Sequence, residues 1–184
     1  MNTVDTPYGK VAENTFALCK NIKLLACDVD GVFSDGRIYL GNDGEELKAF
    51  HTKDGYGLKA LMASGIEVAI ITGRKSNIVA QRFTALGVNH IIQGEEQKQT
   101  ALRNLQQQLQ IPPEHTASIG DDIPDTGMFA LSALRVAPSD AHPTVIAVSN
   151  FATRTAGGFG CVRELCDLIL LSQGKLNGIQ ASSV

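Results

Sequence analysis

The sequence has no excess of basic residues and no apolar run long enough to span a bilayer. Sixteen Lys and Arg stand against 19 Asp and Glu in 184 residues, a formal net charge of −3. No basic face for nucleic acid or an anionic membrane is therefore expected. The longest apolar runs, such as 68–71 and 168–171, fall far short of the roughly 20 residues of a membrane-spanning helix. Residues 1–10 also lack the basic and apolar segments of a secretion signal, which favours a cytoplasmic protein.

Cysteine motifs, internal repeats and low-complexity segments are absent as well. The cysteines are Cys19, Cys27, Cys161 and Cys166. They contain no CxxC pair and have no histidine cluster beside them, so reduced thiols in or near a core are expected. The length suits a single α/β domain over residues 1–184, and a C-terminal tail is expected at about 174–184.

Short apolar runs alternate with helical patterns along most of the chain. Strands buried on both faces are predicted at 22–29, 66–72, 88–94, 116–121 and 133–138. Helices are predicted near 11–20, 55–64, 75–86, 96–110, 124–132 and 159–172. This alternation indicates an α/β fold, with a Rossmann-like parallel sheet and helices on both faces. In such sheets, loops at the carboxyl ends of the strands build the active site.

The interval between the first two predicted strands is longer than one crossover helix requires. Its extra residues read RIYLG at 37–41, Asn-Asp-Gly at 42–44 and EELKAFH at 45–51, which is typical of a β-hairpin. We therefore expect a hairpin flap at about 36–51, beside the catalytic edge of the sheet. Neither this interval nor 73–97 has room for a cap domain, so none is expected.

Two of the predicted strands end in clusters of aspartate. Asp28 and Asp30 follow the first strand at a spacing of i and i+2, and a second cluster follows the fourth strand at Asp121, Asp122 and Asp125. Because unpaired buried charge is costly and oxygen ligands favour Mg²⁺ over zinc, the pattern predicts a Mg²⁺ site. The alternative, that these residues cap helices or fill turns, does not explain two such clusters at one sheet edge.

A phosphate site is predicted at the ends of the next two strands. Thr72 and Gly73 place a hydroxyl group and backbone N–H groups where a helix begins, which favours an anion. A plain helix N-cap explains these two residues equally well when they are read alone. Lys98 lies near the start of a helix, where a cation opposes the helix dipole. That placement favours a phosphate contact over a solvated lysine.

Taken together, these residues resemble the motifs of the haloacid dehalogenase superfamily. The resemblance implies that Asp28 attacks phosphorus to form an aspartyl-phosphate, and that Asp30 serves as acid and then base. It implies that Mg²⁺ is held by Asp28, the backbone carbonyl of Asp30 and Asp121. It implies that phosphoryl oxygens are held by Thr72, Gly73 and Lys98, and that Asp122 and Asp125 orient the metal shell.

Longer segments are similar to a capless branch of this superfamily that dephosphorylates 3-deoxy-D-manno-octulosonate 8-phosphate in lipopolysaccharide precursor synthesis. The similar segments are 28–59, 69–76 and the glycine-rich AGGFGCVRE at 156–164. The resemblance implies a homotetramer in which hairpins pack together and a neighbouring subunit covers each site. The free hairpin edges favour the same association. The glycine-rich segment is either a mobile loop that approaches a site or a flexible entry to the last helix.

A sugar acid requires cations and hydrogen-bond donors beside the phosphate. Residues of these types are His51, Thr52, Lys53, Asp54, Gly55, Lys59, Arg74 and Arg82. For Lys59 and Arg82, an ordinary solvated helix position is the alternative. The segment 51–53 departs from the Asn-Val-Arg of the branch, and Lys59 stands where arginine is common. A nine-carbon, sialic-acid-like sugar acid phosphate therefore remains an alternative substrate.

Two functions without turnover were weighed against the phosphatase. A non-catalytic interaction domain on the same scaffold would be expected to have lost part of the site, whereas Asp28, Asp30, Thr72, Lys98 and Asp121 are all present. A receiver-type domain, phosphorylated on an aspartate by a partner, lacks an acid at i+2 and has no use for the hairpin.

Overall fold

The structure is a computed structural model that describes residues 2–177. These residues form ten short strands and seven α-helices. The strands are β1 (Thr3–Thr6), β2 (Gly9–Ala12), β3 (Leu24–Cys27), β4 (Tyr39–Leu40), β5 (Glu46–Leu47), β6 (Glu67–Thr72), β7 (His90–Gln93), β8 (Thr116–Ile119), β9 (Leu134–Ala137) and β10 (Phe151–Ala152). The helices are α1 (Glu13–Cys19), α2 (Thr52–Ala63), α3 (Asn77–Ala85), α4 (Lys98–Leu109), α5 (Thr126–Phe129), α6 (Pro143–Val148) and α7 (Cys161–Ser172).

The central sheet has six parallel strands in the order β10-β9-β8-β3-β6-β7. The last residue of β3, Cys27, pairs with Ile70 on one side and with Ile119 on the other. The chain runs from β3 outward to β6 and β7, then returns to β8 on the opposite side of β3. The order therefore reverses at β3, and the loops after β3, β6 and β8 meet where ligands bind in open α/β sheets.

Alternate residues of the central strands face opposite layers of helices. Leu25 and Cys27 belong to a core cluster that includes residues of α2, α3 and α7, whereas Leu24 and Ala26 pack with α4 and α5. All four residues of β3 are buried, and full burial of one such apolar side chain contributes about 1.5–3 kcal/mol. The predicted α/β sheet with helices on both faces is confirmed.

The hairpin flap predicted at about 36–51 is present as β4 and β5. Tyr39 pairs with Leu47 and Leu40 with Glu46 in antiparallel register, and the N–H of Gly41 donates to the carbonyl of Glu45 at 2.9 Å. The helix α2 begins directly after the hairpin. The interval 73–97 holds α3 and β7, so neither interval contains a cap domain.

The helix predicted near 11–20 is present as α1, and a hairpin that was not predicted precedes it. β1 and β2 pair as an antiparallel hairpin, and α1 begins at Glu13. The hairpin is fastened to α7, because the Tyr8 hydroxyl donates to the carboxylate of Asp167 at 2.7 Å. This contact joins residues far apart in sequence, so the local pattern did not reveal it.

Two further elements were not predicted, and one prediction falls mostly outside the described residues. α6 and β10 follow β9 and are too short to give a periodic signal. Of the tail expected at about 174–184, residues 178–184 lie outside the described part of the chain. Within residues 2–177, none of the helices combines the length and apolar character needed to cross a membrane.

Candidate active site at the carboxyl edge of the sheet

The sheet fixes the backbone on which the first aspartate stands. The N–H of Asp28 donates to the carbonyl of Ile119 at 3.0 Å, which extends the β3–β8 pairing by one residue. Thr72 is the last residue of the neighbouring strand β6. The side chains of Asp28 and Thr72 are both buried. Both residues therefore stand on rigid strand ends rather than on free loops.

A buried lysine joins two carboxylates at the centre of this edge. Nζ of Lys98 lies 2.5 Å from Oδ1 of Asp28 and 2.6 Å from Oδ1 of Asp125. Lys98 is the first residue of α4, where the helix dipole disfavours a cation, so the two carboxylates must hold it there. Loss of one partner from such a buried group typically costs about 3–5 kcal/mol, because a charge is left uncompensated.

Asp125 also organises the loop that follows β8. Its second oxygen, Oδ2, accepts the N–H of Asp121 at 3.0 Å and the N–H of Asp122 at 3.2 Å. The exposed carboxylate of Asp122 accepts the N–H of Ile123 at 2.8 Å and caps a short 3₁₀ turn. Asp125 thus has hydrogen-bond partners on both of its oxygens, whereas Asp122 lies at the rim.

The loops after β3 and β8 touch through a glycine. Gly31 has φ +84°, and a Cβ at this position would overlap Oδ2 of Asp121. A larger residue would both strain the backbone and displace that carboxylate. The close approach brings oxygens of Asp28, Asp121 and Asp125 within 4.8 Å of one another.

The electrostatics of the cluster favour a further cation. Burial, reinforced by the charge of Asp125, raises the pKa of Asp28 to about 8 although Lys98 opposes the shift. Burial and Asp125 likewise raise the pKa of Asp121 to about 7. Burial disfavours the charged form of Lys98, yet Asp28 and Asp125 outweigh it and raise its pKa. Three carboxylates facing one ammonium group leave a negative surplus that a divalent, oxygen-preferring ion would neutralise.

Asp30 lies at the base of the hairpin. Its Oδ1 contacts the ammonium group of Lys48, which follows β5 and whose side chain is 1% exposed. Lys48 also lies 3.2 Å from Glu46, and the other oxygen of Glu46 lies 2.9 Å from the guanidinium group of Arg74. Glu46 and Lys48 were not among the residues predicted for the site. The signal in the sequence was their i, i+2 spacing about the apolar Leu47, which places both side chains on one side of an extended segment.

A cavity of about 360 Å³ is lined by most of the predicted site residues. All the residues predicted to be catalytic, metal-binding, phosphate-binding or supporting line it, together with Gly36, Arg74 and Pro124. The residues predicted to contact the sugar acid divide differently. Arg74 lines the cavity, and outside its lining lie His51, Thr52, Lys53, Asp54, Gly55, Lys59 and Arg82.

Two of the residues outside the lining stabilise helix ends. Nδ1 of His51 accepts the N–H of Lys53 at 3.1 Å and caps α2. The buried Asp54 accepts the N–H of Arg163 at 2.8 Å in the first turn of α7. Burial raises the pKa of Asp54 to about 6, although the hydrogen bond from Arg163 opposes the shift. Within one subunit, these two side chains act on helix termini, and their contact with substrate stays a prediction.

The glycine-rich segment packs against the loop that carries Asp30. The N–H of Gly158 donates to the carbonyl of Val32 at 2.9 Å, and the Cys161 thiol donates to the same carbonyl at 3.2 Å. A Cβ on Gly157 would overlap the carbonyl oxygen of Gly31. The segment therefore supports the site from behind and does not line the cavity.

Comparison with known proteins gives consistent similarities in sequence and structure. A family model described as haloacid dehalogenase-like hydrolase matches residues 87–163. The 3-deoxy-D-manno-octulosonate 8-phosphate phosphatase of Yersinia pestis is 50% identical over 181 residues, which cover 98% of this chain and 97% of that protein. The enzyme of that name from Escherichia coli strain K12 is 50% identical over 179 residues, covering 97% and 95%.

Solved structures agree over the same length. The crystal structure of the Yersinia pestis phosphatase has a TM-score of 0.97 at 49% identity and covers 100% of this chain and 99% of its own. The corresponding Moraxella catarrhalis structure, in complex with a magnesium ion, a phosphate ion and a KDO molecule, has a TM-score of 0.88 at 44% identity. It covers 91% of this chain and 96% of that one.

The contact between the glycine-rich segment and Gly31 yields a stability prediction. We expect Gly157→Ala to lower the free energy of unfolding by about 1–3 kcal/mol, because the added methyl group overlaps a backbone oxygen. Urea denaturation followed by circular dichroism measures the change. Phe159→Ala is the matched control in the same segment, since Phe159 is 62% exposed and should change stability by less than about 0.5 kcal/mol. Equal stability of Gly157→Ala and wild type would contradict the contact.

Proposed function

The chain belongs to the haloacid dehalogenase-like hydrolases, and from this membership we infer that it is a magnesium-dependent phosphatase of 3-deoxy-D-manno-octulosonate 8-phosphate. It hydrolyses this monoester to the free sugar acid and phosphate. The observation that carries the proposal is the single cavity in which Asp28, Asp30, Asp121 and Lys98 converge. Half of the residues are shared with phosphatases of this name over nearly the whole length.

In the proposed first step, a carboxylate oxygen of Asp28 attacks phosphorus and the bond from phosphorus to the sugar oxygen breaks. Asp30 transfers its proton to that oxygen, so the sugar acid leaves as a neutral hydroxyl rather than an alkoxide. Asp28 is left as an aspartyl-phosphate. The rigid strand end that holds Asp28 supports this role, because a nucleophile needs a fixed line of attack.

In the second step, water attacks the aspartyl-phosphate. Asp30, now a carboxylate, takes a proton from that water, the bond from Asp28 to phosphorus breaks, and phosphate is released. Lys98 and the hydroxyl and N–H groups at Thr72 and Gly73 hold the phosphoryl oxygens in both steps. The buried ammonium group of Lys98, already beside Asp28, supports this assignment.

The donor set fits Mg²⁺. We assign the ion to Asp28, Asp121 and the backbone carbonyl of Asp30, since Asp125 has hydrogen-bond partners on both of its oxygens. When bound, Mg²⁺ would neutralise the negative charge of a phosphoryl group that lies beside three carboxylates. Asp125 orients the loop of Asp121, and Asp122 supports the turn beside it.

A neighbouring subunit is proposed to complete the site. The hairpin exposes Ile38 by 56%, Leu40 by 70% and Leu47 by 63%, and exposed apolar side chains concentrated on one short arm favour an interaction surface. A second copy of the chain is the proposed occupant, in a homotetramer whose hairpins pack together. In this assembly, the predicted substrate-binding residues of α2 and α3 that lie outside the cavity of their own subunit are proposed to contact the substrate in the cavity of a neighbouring subunit.

We place the reaction in the cytoplasm, in the synthesis of lipopolysaccharide precursors. All four cysteines are free and buried, which is the state expected in a reducing compartment.

The nucleophile is tested with Asp28→Asn. Because the amide cannot attack phosphorus, kcat/KM for 3-deoxy-D-manno-octulosonate 8-phosphate should fall by roughly 10³-fold or more, measured by phosphate release. Asp5→Asn is the matched control, since the side chain of Asp5 is 83% exposed in the amino-terminal hairpin. Near-full activity of Asp28→Asn would end the covalent mechanism. Preference for a nine-carbon sugar acid phosphate would end the substrate assignment alone.

The metal site is tested by thermal unfolding with and without Mg²⁺. Wild type should gain about 2.7 kcal/mol of stability at a Mg²⁺ concentration 100 times the dissociation constant, and Asp121→Asn should lose most of that gain. Without Mg²⁺ the variant should be at least as stable as wild type, because it carries one negative charge fewer beside Asp125. Chelation should abolish turnover and added Mg²⁺ restore it. An undiminished Mg²⁺ effect in Asp121→Asn would contradict the ligand set.

The assembly is tested by light scattering after size exclusion. Wild type should have the mass of a tetramer at micromolar concentration, and Leu40→Glu combined with Leu47→Glu should dissociate it, because the charges cannot be buried between hairpins. Val148→Glu, an exposed apolar position on α6, should leave the mass unchanged. A monomeric wild type would remove the proposal.

A further inference from the structure

Lys48 is a buried ammonium group on a surface arm. It follows a strand of only two residues, yet its side chain is 1% exposed. Burial of a lysine charge is costly unless the charge is paired. Its partners are the carboxylates of Asp30 and Glu46, so the hairpin turns this lysine inward, toward the site.

The contact with Asp30 fixes one particular oxygen. Oδ1 of Asp30 contacts Nζ of Lys48, whereas the Ser34 hydroxyl, which faces the same oxygen, lies at 3.5 Å, the limit of a hydrogen bond. The side chain of Asp30 is 26% exposed, so packing alone leaves it rotational freedom. Lys48 is therefore the main restraint on the direction in which this carboxyl group points.

The chemistry of an ammonium group then selects the atom that can carry a proton. A lysine ammonium group donates hydrogen bonds and cannot accept one. With Oδ1 held by Lys48, the hydrogen of a protonated Asp30 has its place on Oδ2. Asp30 lines the same cavity as Asp28, and Oδ2 is then the oxygen presented to a leaving group.

Glu46 connects the same arm to the phosphate loop. One carboxylate oxygen of Glu46 lies 3.2 Å from Lys48, and the other lies 2.9 Å from Arg74, which follows β6. Alternation along the strand places Glu46 and Lys48 on one side and Leu47 on the other. The hairpin is thus tied to the site at two points, the loop of Asp30 and the loop of Arg74.

We propose that Lys48 is a positioning residue for this phosphatase reaction, holding Oδ1 of Asp30 so that Oδ2 delivers the proton to the departing sugar oxygen, with Glu46 keeping the lysine in place. The proposal rests on the function inferred above. In the step it assists, the bond from phosphorus to oxygen breaks, its electron pair stays on the sugar oxygen, and the proton on Oδ2 of Asp30 moves to that oxygen.

Leaving groups of different basicity test the proposal. A sugar alkoxide needs the proton, whereas p-nitrophenolate is a weak base and leaves without it. The ratio kcat/KM is the proper measure, because it reports steps only up to departure of the leaving group. We expect Lys48→Met to lower kcat/KM about 10²-fold or more for the sugar acid phosphate, and less than about fivefold for p-nitrophenyl phosphate.

Three variants sharpen this test. Lys48→Arg, which keeps the charge and the donor, should restore the sugar phosphate reaction to within about tenfold of wild type. Lys48→Gln removes the charge with less loss of polarity, and provides the same comparison if Lys48→Met does not fold. Lys20→Met, an exposed lysine beside the amino end of β3, should change neither substrate.

The outcomes separate this inference from the proposed function. Equal losses on both substrates, or no loss on either, would overturn the role of Lys48, because a merely structural contact affects both alike. Asp30→Asn serves as the reference and should show the same selective loss. If Asp30→Asn is selective and the Lys48 variants are not, the inference about Lys48 fails alone. If wild type hydrolyses neither substrate, the proposed function fails with it.

Discussion

The contact on which the site depends is the buried ammonium group of Lys98 between Asp28 and Asp125. Without it, two buried carboxylates would face each other at the end of the sheet with no charge to separate them. The same contact fixes a lysine at a helix start, where the dipole opposes it. Lys98 compensates only part of the negative charge, however. The raised pKa values of Asp28 and Asp121 are the electrostatic consequence, and they explain why this edge suits a divalent cation.

The parallel sheet brings these charged residues together on rigid strand ends. Because β3 lies between β6 and β8, the loops after all three strands open on the same side. Gly31 then lets the first loop approach Asp121, and Gly157 lets the carboxyl-terminal segment pack behind it. The residue that would carry the proton, Asp30, is the least constrained of the set. Its loop is held from behind by glycine contacts and its side chain from the front by Lys48.

Sequence reasoning succeeded where a residue type marks a strand end. Asp28, Asp121 and Thr72 each stand at such an end, and their convergence follows from the topology alone. It failed where a role depends on a partner distant in sequence. The contact of Asp54 with the first turn of α7 could not be predicted for this reason, and its contact with substrate stays a prediction. Lys48 was not predicted for the site, because its contact with Asp30 joins residues distant in sequence. The hairpin β1–β2 was missed for the same reason.

The hairpin flap carries both the ion pairs of Glu46 and Lys48 and a set of exposed apolar side chains. Strands of two residues are barely stable in isolation, so this arm must draw its order from contacts beyond its own strand pairing. On the inner face those contacts are the ion pairs of Glu46 and Lys48. On the outer face the side chain of Leu47 is exposed, and contacts there belong to the proposed assembly. Burial of the outer face between subunits would restrict the same strand that presents Lys48 to Asp30. In the proposed assembly, subunit contacts and the orientation of Asp30 would therefore be coupled through one short strand, since whatever orders one face of β5 also orders the other.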